Sequence, residues 1–65
     1  MLVLDEKYLR LDGKVQFVYI SEKKMIFSTR NYIYTIIGTA LRIKEYSISE
    51  TLLYGYVTQI EVEHV

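Results

Sequence analysis

Several residue types that stabilise or interrupt small proteins are absent from this chain of 65 residues. It has no cysteine, no proline and no tryptophan, and only three glycines. A chain of this length buries only about 60% of the surface that its unfolded form exposes, so disulfides, a metal or association usually add stability. The lack of cysteine excludes disulfides and thiol chemistry, and a single histidine argues against a structural zinc site. Association with copies of itself or with a partner is the remaining route.

The chain also lacks an excess of either charge, because eight Lys and Arg residues balance eight Asp and Glu residues. Proteins of this size that bind duplex nucleic acid usually carry a clear excess of cations, since phosphate neutralisation dominates their affinity. The balanced charge therefore argues against nucleic acid as a partner. Zero net charge removes the repulsion that keeps small proteins apart, which favours association. The longest uncharged stretch, Asn31 to Leu41, is much shorter than the roughly 20 residues of a membrane-spanning helix. We therefore expect no membrane span. The apolar run at 1–4 ends at Asp5-Glu6-Lys7, whereas a secretory signal needs a basic start and roughly 7–15 apolar residues, so we expect no such signal.

Most of the sequence consists of β-branched and aromatic residues among which apolar side chains recur with a period of two. This alternation is typical of β-strands with one buried face. Polar breaks at Asp12-Gly13, at 21–24 and at 29–31 separate the runs and predict turns. The runs are candidate strands at 8–11, 15–20, 25–28, 32–37, 40–45, 52–56 and 58–63.

Six or seven short strands at this regular spacing predict one all-β domain over residues 1–65, a small antiparallel meander, sandwich or roll. The spacing also leaves a short β-solenoid open as an alternative, with each strand forming one rung. Gly13 is predicted to form a turn after Asp12. Gly38 and Gly55 interrupt apolar runs, where glycine weakens a strand, so we expect bulges, bends or close backbone approaches there.

Residues with catalytic or metal-binding chemistry are sparse. His64 is expected to be a frayed surface residue rather than a general base. Glu61 and Glu63 lie on one strand face and with His64 could form a weak metal site, although charges on an edge strand more commonly deter unwanted pairing. No nucleophile with a matching base and no glycine-rich phosphate loop is present. We expect a protein that is not an enzyme and that uses no metal and no cofactor.

The seven tyrosines allow three interpretations. Tyrosine is a good strand former whose amphipathic ring suits the edge of a core. It is also enriched at protein interfaces. Exposed tyrosines on a sheet can stack the bases of single-stranded nucleic acid, and Tyr32, Tyr34, Tyr54 and Tyr56 are the candidates for such a platform.

Three runs, at 15–20, 32–37 and 52–57, carry apolar residues on both faces. One sheet over a small core can bury only one face of each strand. The second face therefore needs another sheet, a partner or a second copy of the chain. The candidate interface residues are Val18, Ile20, Ile33, Ile37, Tyr32 and Tyr34.

The glycine-centred runs also carry a family resemblance. Residues 37–43 read Ile-Gly-Thr-Ala-Leu-Arg-Ile, and residues 54–61 read Tyr-Gly-Tyr-Val-Thr-Gln-Ile-Glu. Upstream, residues 9–13 read Leu-Arg-Leu-Asp-Gly and precede two hydrophobic strands, the second of which ends in Thr29. This succession over residues 9–61 resembles the YabP/YqfC family of sporulation proteins from endospore-forming Firmicutes.

The resemblance implies a small, non-enzymatic protein made in the mother cell during sporulation. It implies a role in spore envelope assembly, or with a membrane-associated sporulation protein as partner. The expected location is the mother-cell cytoplasm, or the periphery of the forespore membrane. Together with the composition, this predicts a β module that associates with itself or with such a partner. The alternative is a single-stranded nucleic-acid binder that uses a tyrosine-rich sheet face.

Overall fold

Six strands form a single sheet in the computed structural model, which describes residues 2–4 and 8–65. Their order across the sheet is β1-β2-β6-β5-β4-β3, and every neighbouring pair is antiparallel. The all-β prediction is confirmed, whereas the solenoid alternative is wrong because stacked solenoid rungs pair in parallel. The strands are β1 (Leu2–Leu4), β2 (Tyr8–Asp12), β3 (Gln16–Ile20), β4 (Lys24–Ser28), β5 (Tyr32–Tyr46) and β6 (Glu50–His64).

Strands β5 and β6 are 15 residues long, so the expectation of uniformly short strands is wrong for this pair. The chain does not break at the glycines but continues through them with shifted register. Pairing of β5 with β6 slips between Ile37 and Gly38, and again between Thr39 and Arg42. Ala40 lies in this irregular stretch with a φ of 55°. Such bulges increase twist and bend a strand without ending it.

Two glycines lie where the backbones of β5 and β6 approach each other closely. A Cβ atom on Gly38 would overlap the carbonyl oxygen of Tyr56 and would lie 2.9 Å from its carbonyl carbon. A Cβ atom on Gly55 would lie 2.7 Å from the carbonyl oxygen of Ala40, and real Cβ atoms essentially never come within 3.0 Å of another heavy atom. Close backbone approach therefore explains both glycines.

The bend divides the sheet into two halves that share the long strands. Strand β2 pairs with residues 50–54 of β6, whereas β4 pairs with residues 33–37 of β5. Side chains from both halves meet in one cluster, so the sheet forms a small roll over a single core. The buried members are Leu9, Leu11, Val15, Met25, Phe27, Ile36, Leu41 and Leu53.

Contacts between β3 and the far end of β5 connect the two halves. The rings of Phe17 and Tyr46 have centroids 4.6 Å apart, and the Tyr46 hydroxyl donates a hydrogen bond of 3.1 Å to the carbonyl of Val15. The amide of Gly38 donates to the carbonyl of Lys23 at 3.0 Å, which attaches the β3–β4 connection to the bend.

The Asp12-Gly13 turn does not close a hairpin. Gly13 has a φ of 89°, and its amide donates a 2.7 Å hydrogen bond to the carbonyl of Ser49. Strands β2 and β3 belong to different halves of the sheet, so this turn carries the chain from one half to the other. By contrast, the polar breaks at 21–24 and 29–31 lie at the hairpins that join β3 to β4 and β4 to β5.

Candidate interaction surface

Strand β3 forms one edge of the sheet and pairs only with β4 among the described strands. Three consecutive residues on it are exposed, with Val18 at 61%, Tyr19 at 51% and Ile20 at 49%. The strand contains no charged residue and no proline, which are features that natural edge strands use to prevent pairing. This edge therefore presents apolar side chains beside backbone groups that pair with no further described strand.

The edge formed by the last part of β6 has the opposite character. Residues 58–64 pair with β5 and with no other described strand, and they carry Glu61, Glu63 and His64. Charged side chains discourage edge-to-edge association because pairing would desolvate them. Of these two edges, the sequence protects that of β6 and leaves that of β3 without charge.

A bulge limits how much regular strand the β3 edge offers. Pairing with β4 passes from Phe17 opposite Phe27 directly to Tyr19 opposite Ile26, so Val18 has no residue opposite it. A bulge of this kind bends an edge and shortens the stretch that another strand can follow. The edge thus fits a short contact better than continuous stacking of many copies.

A second apolar area lies on the outer face of the sheet next to this edge. Along β4, buried residues alternate with partly exposed ones, and in β5 the buried Ile36 lies between two partly buried residues. The residues on either side of each buried residue therefore point away from the core. Tyr19 pairs with Ile26 across β3 and β4 on this face. We call this area the outer apolar face, and it consists of Tyr19, Ile26, Ile33 and Ile37.

The six residues predicted for an interface do not all lie together. Val18 and Ile20 are exposed on the β3 edge, and Ile33 and Ile37 are half-buried on the outer apolar face. Tyr34 instead packs against the core, and Tyr32 is 39% exposed at the end of β5.

Sequence reasoning missed Tyr19 and Ile26 as members of the surface. The sequence did contain a signal for Ile26: Met25 and Phe27 share one face of their strand, so Ile26 between them must point to the other face. The orientation of Tyr19 depends on the bulge at Val18, for which the sequence carries no glycine or other mark.

The four tyrosines suggested as a base-stacking platform do not share a face. Tyr34 packs against the core cluster, whereas Tyr54 follows the buried Leu53 and therefore faces outward from the other half of the sheet. Tyr56 is 78% exposed beyond the bend. The structure keeps only Tyr32 and Tyr34 near each other, with ring centroids 6.1 Å apart.

Tyr54 lies at the centre of a small cationic cluster. The ammonium of Lys44 donates a hydrogen bond to the Tyr54 hydroxyl and lies 4.8 Å from the ring centroid, while Arg42 Cζ lies 5.7 Å from it. The ring of Tyr8 is 6.5 Å away. The hydrogen bond to Tyr54, helped by its charge interaction, holds the pKa of Lys44 above its ordinary value.

The residues considered for a metal site are divided between two faces. Glu61 pairs with Thr35 and Glu63 with Ile33, whereas His64 pairs with Tyr32 and stacks edge-on against its ring at 5.2 Å. His64 therefore lies within the β-ladder rather than at a frayed end. Within residues 2–4 and 8–65, no three His, Asp or Glu side chains lie close enough to hold a metal ion.

The described part of the chain contains no helix long and apolar enough to cross a membrane. Comparison with known proteins gives no match of this chain to a family model, to a curated protein or to a solved structure.

Proposed function

We propose that this chain is a non-enzymatic interaction module that associates with a second copy of itself through the β3 edge. The observation that carries the proposal is the exposure of Val18, Tyr19 and Ile20 on an edge strand without charge. Exposed apolar side chains beside unpaired strand backbone favour the addition of another strand. The outer apolar face continues this surface beyond the edge.

The size of the molecule makes such an interface important. Its accessible surface is 4662 Å². A standard interface covers about 800 Å² on each partner, which would be about one sixth of that surface. Because eight hydrophobic residues are buried within the described part of the chain, association would add a substantial share of the apolar burial.

A symmetric dimer is the assembly that fits this edge best. Two copies that meet through the same strand form a closed, isologous contact, in which each surface is used once. Once β3 is occupied by this contact, the charges on the last part of β6 oppose strand addition at that other edge. We therefore propose a dimer rather than an open filament.

The biological role that we propose rests on the resemblance of residues 9–61 to the YabP/YqfC family. In this proposal the dimer acts in the mother cell during sporulation, in the assembly of the spore envelope. A membrane-associated sporulation protein is the further partner that the resemblance suggests, with the dimer at the periphery of the forespore membrane.

Light scattering coupled to size-exclusion chromatography tests the association. The wild-type chain should elute with the mass of a dimer at micromolar concentrations, and Val18→Lys should shift it to monomer because pairing would desolvate the new ammonium. Val62→Lys is the matched control, since Val62 is 56% exposed on the charged β6 strand. This control should remain dimeric.

Two results would contradict the proposal. A wild-type chain that stays monomeric at these concentrations excludes self-association and directs attention to the membrane-associated partner. If Val62→Lys dissociates the dimer and Val18→Lys does not, the interface lies on the β6 edge and not on the β3 edge.

A further inference from the structure

A groove runs along one end of the roll, between the β2–β3 connection and the β4–β5 turn. Two adjoining cavities form it, with volumes of about 390 and 370 Å³, and both are lined by Lys14, Thr29 and Arg30. Each volume lies at the lower end of the range of small-molecule sites, about 300–1,000 Å³. We call this feature the Lys14–Arg30 groove.

The walls of the groove are held in place by local hydrogen bonds. On one side, the turn at Gly13 is attached to Ser49 through its amide. On the other side, Thr29 Oγ1 accepts a 3.1 Å hydrogen bond from the amide of Tyr32, while the amide of Thr29 donates to the carbonyl of Tyr32 at 2.8 Å. These hydrogen bonds fix the backbone on both sides of the groove.

Positive charge is concentrated in this groove although the chain as a whole is neutral. Lys14 and Arg30 are both exposed, and neither forms an ion pair within residues 2–4 and 8–65. Asp12 is the carboxylate among the lining residues, and its Oδ1 lies 3.2 Å from Arg10 Nε. The two cations are thus available to an anionic ligand.

An aromatic surface lies beside these cations. Tyr32 and Tyr34 line the second cavity, and Tyr32 keeps 39% of its surface exposed. Neighbouring Tyr34 and the ring of His64 hold Tyr32 in position through ring contacts of 6.1 and 5.2 Å. A fixed, partly exposed ring suits stacking of a planar group at low entropic cost.

We infer that the Lys14–Arg30 groove binds a nucleotide, with its phosphate at Lys14 and Arg30 and its base against Tyr32. Guanidinium and ammonium groups are the side chains that recognise phosphate, and tyrosine stacks bases of any sequence. This inference uses a different part of the molecule from the β3 interface, so it does not depend on the proposed dimer.

Binding is tested on the full chain with three probes at low salt. The probes are a fluorescein-labelled short oligothymidine, adenosine monophosphate and inorganic phosphate. Fluorescence polarisation measures binding of the labelled oligonucleotide, and NMR shifts of groove amides measure binding of all three probes. Both nucleotide probes should bind more tightly than inorganic phosphate. Tighter binding of the oligonucleotide, with stronger salt dependence, would identify single strands as the source, whereas equal affinity would identify free nucleotides.

Two variants separate the contributions of charge and ring. Arg30→Gln should lower the affinity for all three probes by about tenfold, because a charge-assisted contact to phosphate is lost. Tyr32→Leu should lower the affinity for the two nucleotide probes and leave the affinity for inorganic phosphate unchanged. Lys44→Gln is the matched control, since it removes an exposed cation outside the groove and should change affinity less than twofold.

Several outcomes would overturn the inference. They are the absence of binding by every probe at low salt, an equal loss in Lys44→Gln and Arg30→Gln, and inorganic phosphate binding as well as the nucleotides. Far-UV circular dichroism establishes that each variant is folded. If Tyr32→Leu does not fold, Arg30→Gln and the comparison of probes still decide the result.

Discussion

Substitution of Gly38 by alanine probes the bend on which the whole roll depends. The new methyl group would overlap the carbonyl oxygen of Tyr56 and would lie 3.1 Å from the Cα of Val57. All of these atoms are backbone, so no side chain can move aside to make room. The β5–β6 ladder would have to separate at the bulge, with loss of the adjacent pairing between Gly38 and Val57.

The magnitude follows from the interactions that would be lost. Overpacking costs about 1–3 kcal/mol, and each lost backbone hydrogen bond adds about 1 kcal/mol. We therefore expect Gly38→Ala to lower the free energy of unfolding by about 3 kcal/mol or more. A domain of this size has a total of roughly 3–10 kcal/mol, so the variant should lose a large share of its stability. In thermal unfolding this corresponds to a decrease in Tm of about 12–24 °C.

Gly13→Ala provides the matched control at a glycine with free space. Nothing lies within 4 Å of a Cβ atom at Gly13, but its φ of +89° is unfavourable for alanine. This cost is about 1–2 kcal/mol. Urea and thermal unfolding, followed by far-UV circular dichroism, measure both variants. If Gly38→Ala is no less stable than Gly13→Ala, the explanation of the bend by steric approach is refuted.

Two further predictions concern single side-chain groups. Thr51 is fully buried and its hydroxyl has no hydrogen-bond partner among the described residues, so Thr51→Val should raise the unfolding free energy by about 1 kcal/mol in urea titrations. In the control Thr58→Val, an exposed hydroxyl that donates to Ile37 at 3.1 Å is lost, and stability should not rise. The raised pKa of Lys44 means that its charged form stabilises the fold below the ordinary lysine pKa and loses this contribution as pH rises through the higher folded value. An NMR titration of the Lys44 side chain should show this higher midpoint, and Tyr54→Phe should lower it; an unchanged midpoint in that variant would exclude the hydrogen bond as the cause.

Alternation in the sequence was enough to predict most of the strands and the buried faces of β2 and β4. Leu9 with Leu11 and Met25 with Phe27 are buried pairs, as a period of two requires, because successive side chains of a strand point to opposite faces. The polar breaks at 21–24 and 29–31 likewise marked hairpins. Local physics decides these features, so they can be derived without a tertiary fold.

The candidate surfaces depend on contacts between residues far apart in the chain. Sequence analysis selected Val18 and Ile20 because their strand carries apolar residues on both faces. It could not show that β3 becomes an edge, since edge position depends on which strands pair. Lys14 and Arg30 are 16 positions apart in the sequence, and they line the same groove because β3 pairs antiparallel with β4, which places Gln16 opposite Ser28 and the residues beyond them at one end of the hairpin.

The sequence by itself determined that this chain is all-β, where most of its strands lie and that its apolar side chains exceed what one sheet face can bury. Only the tertiary structure decided that two long strands pass through Gly38 and Gly55, where the sequence had indicated four shorter strands. The physical reason is that a glycine within an apolar run is compatible with a break, a bulge or a close approach. The backbone of the opposite strand, which the local sequence does not specify, selects among them.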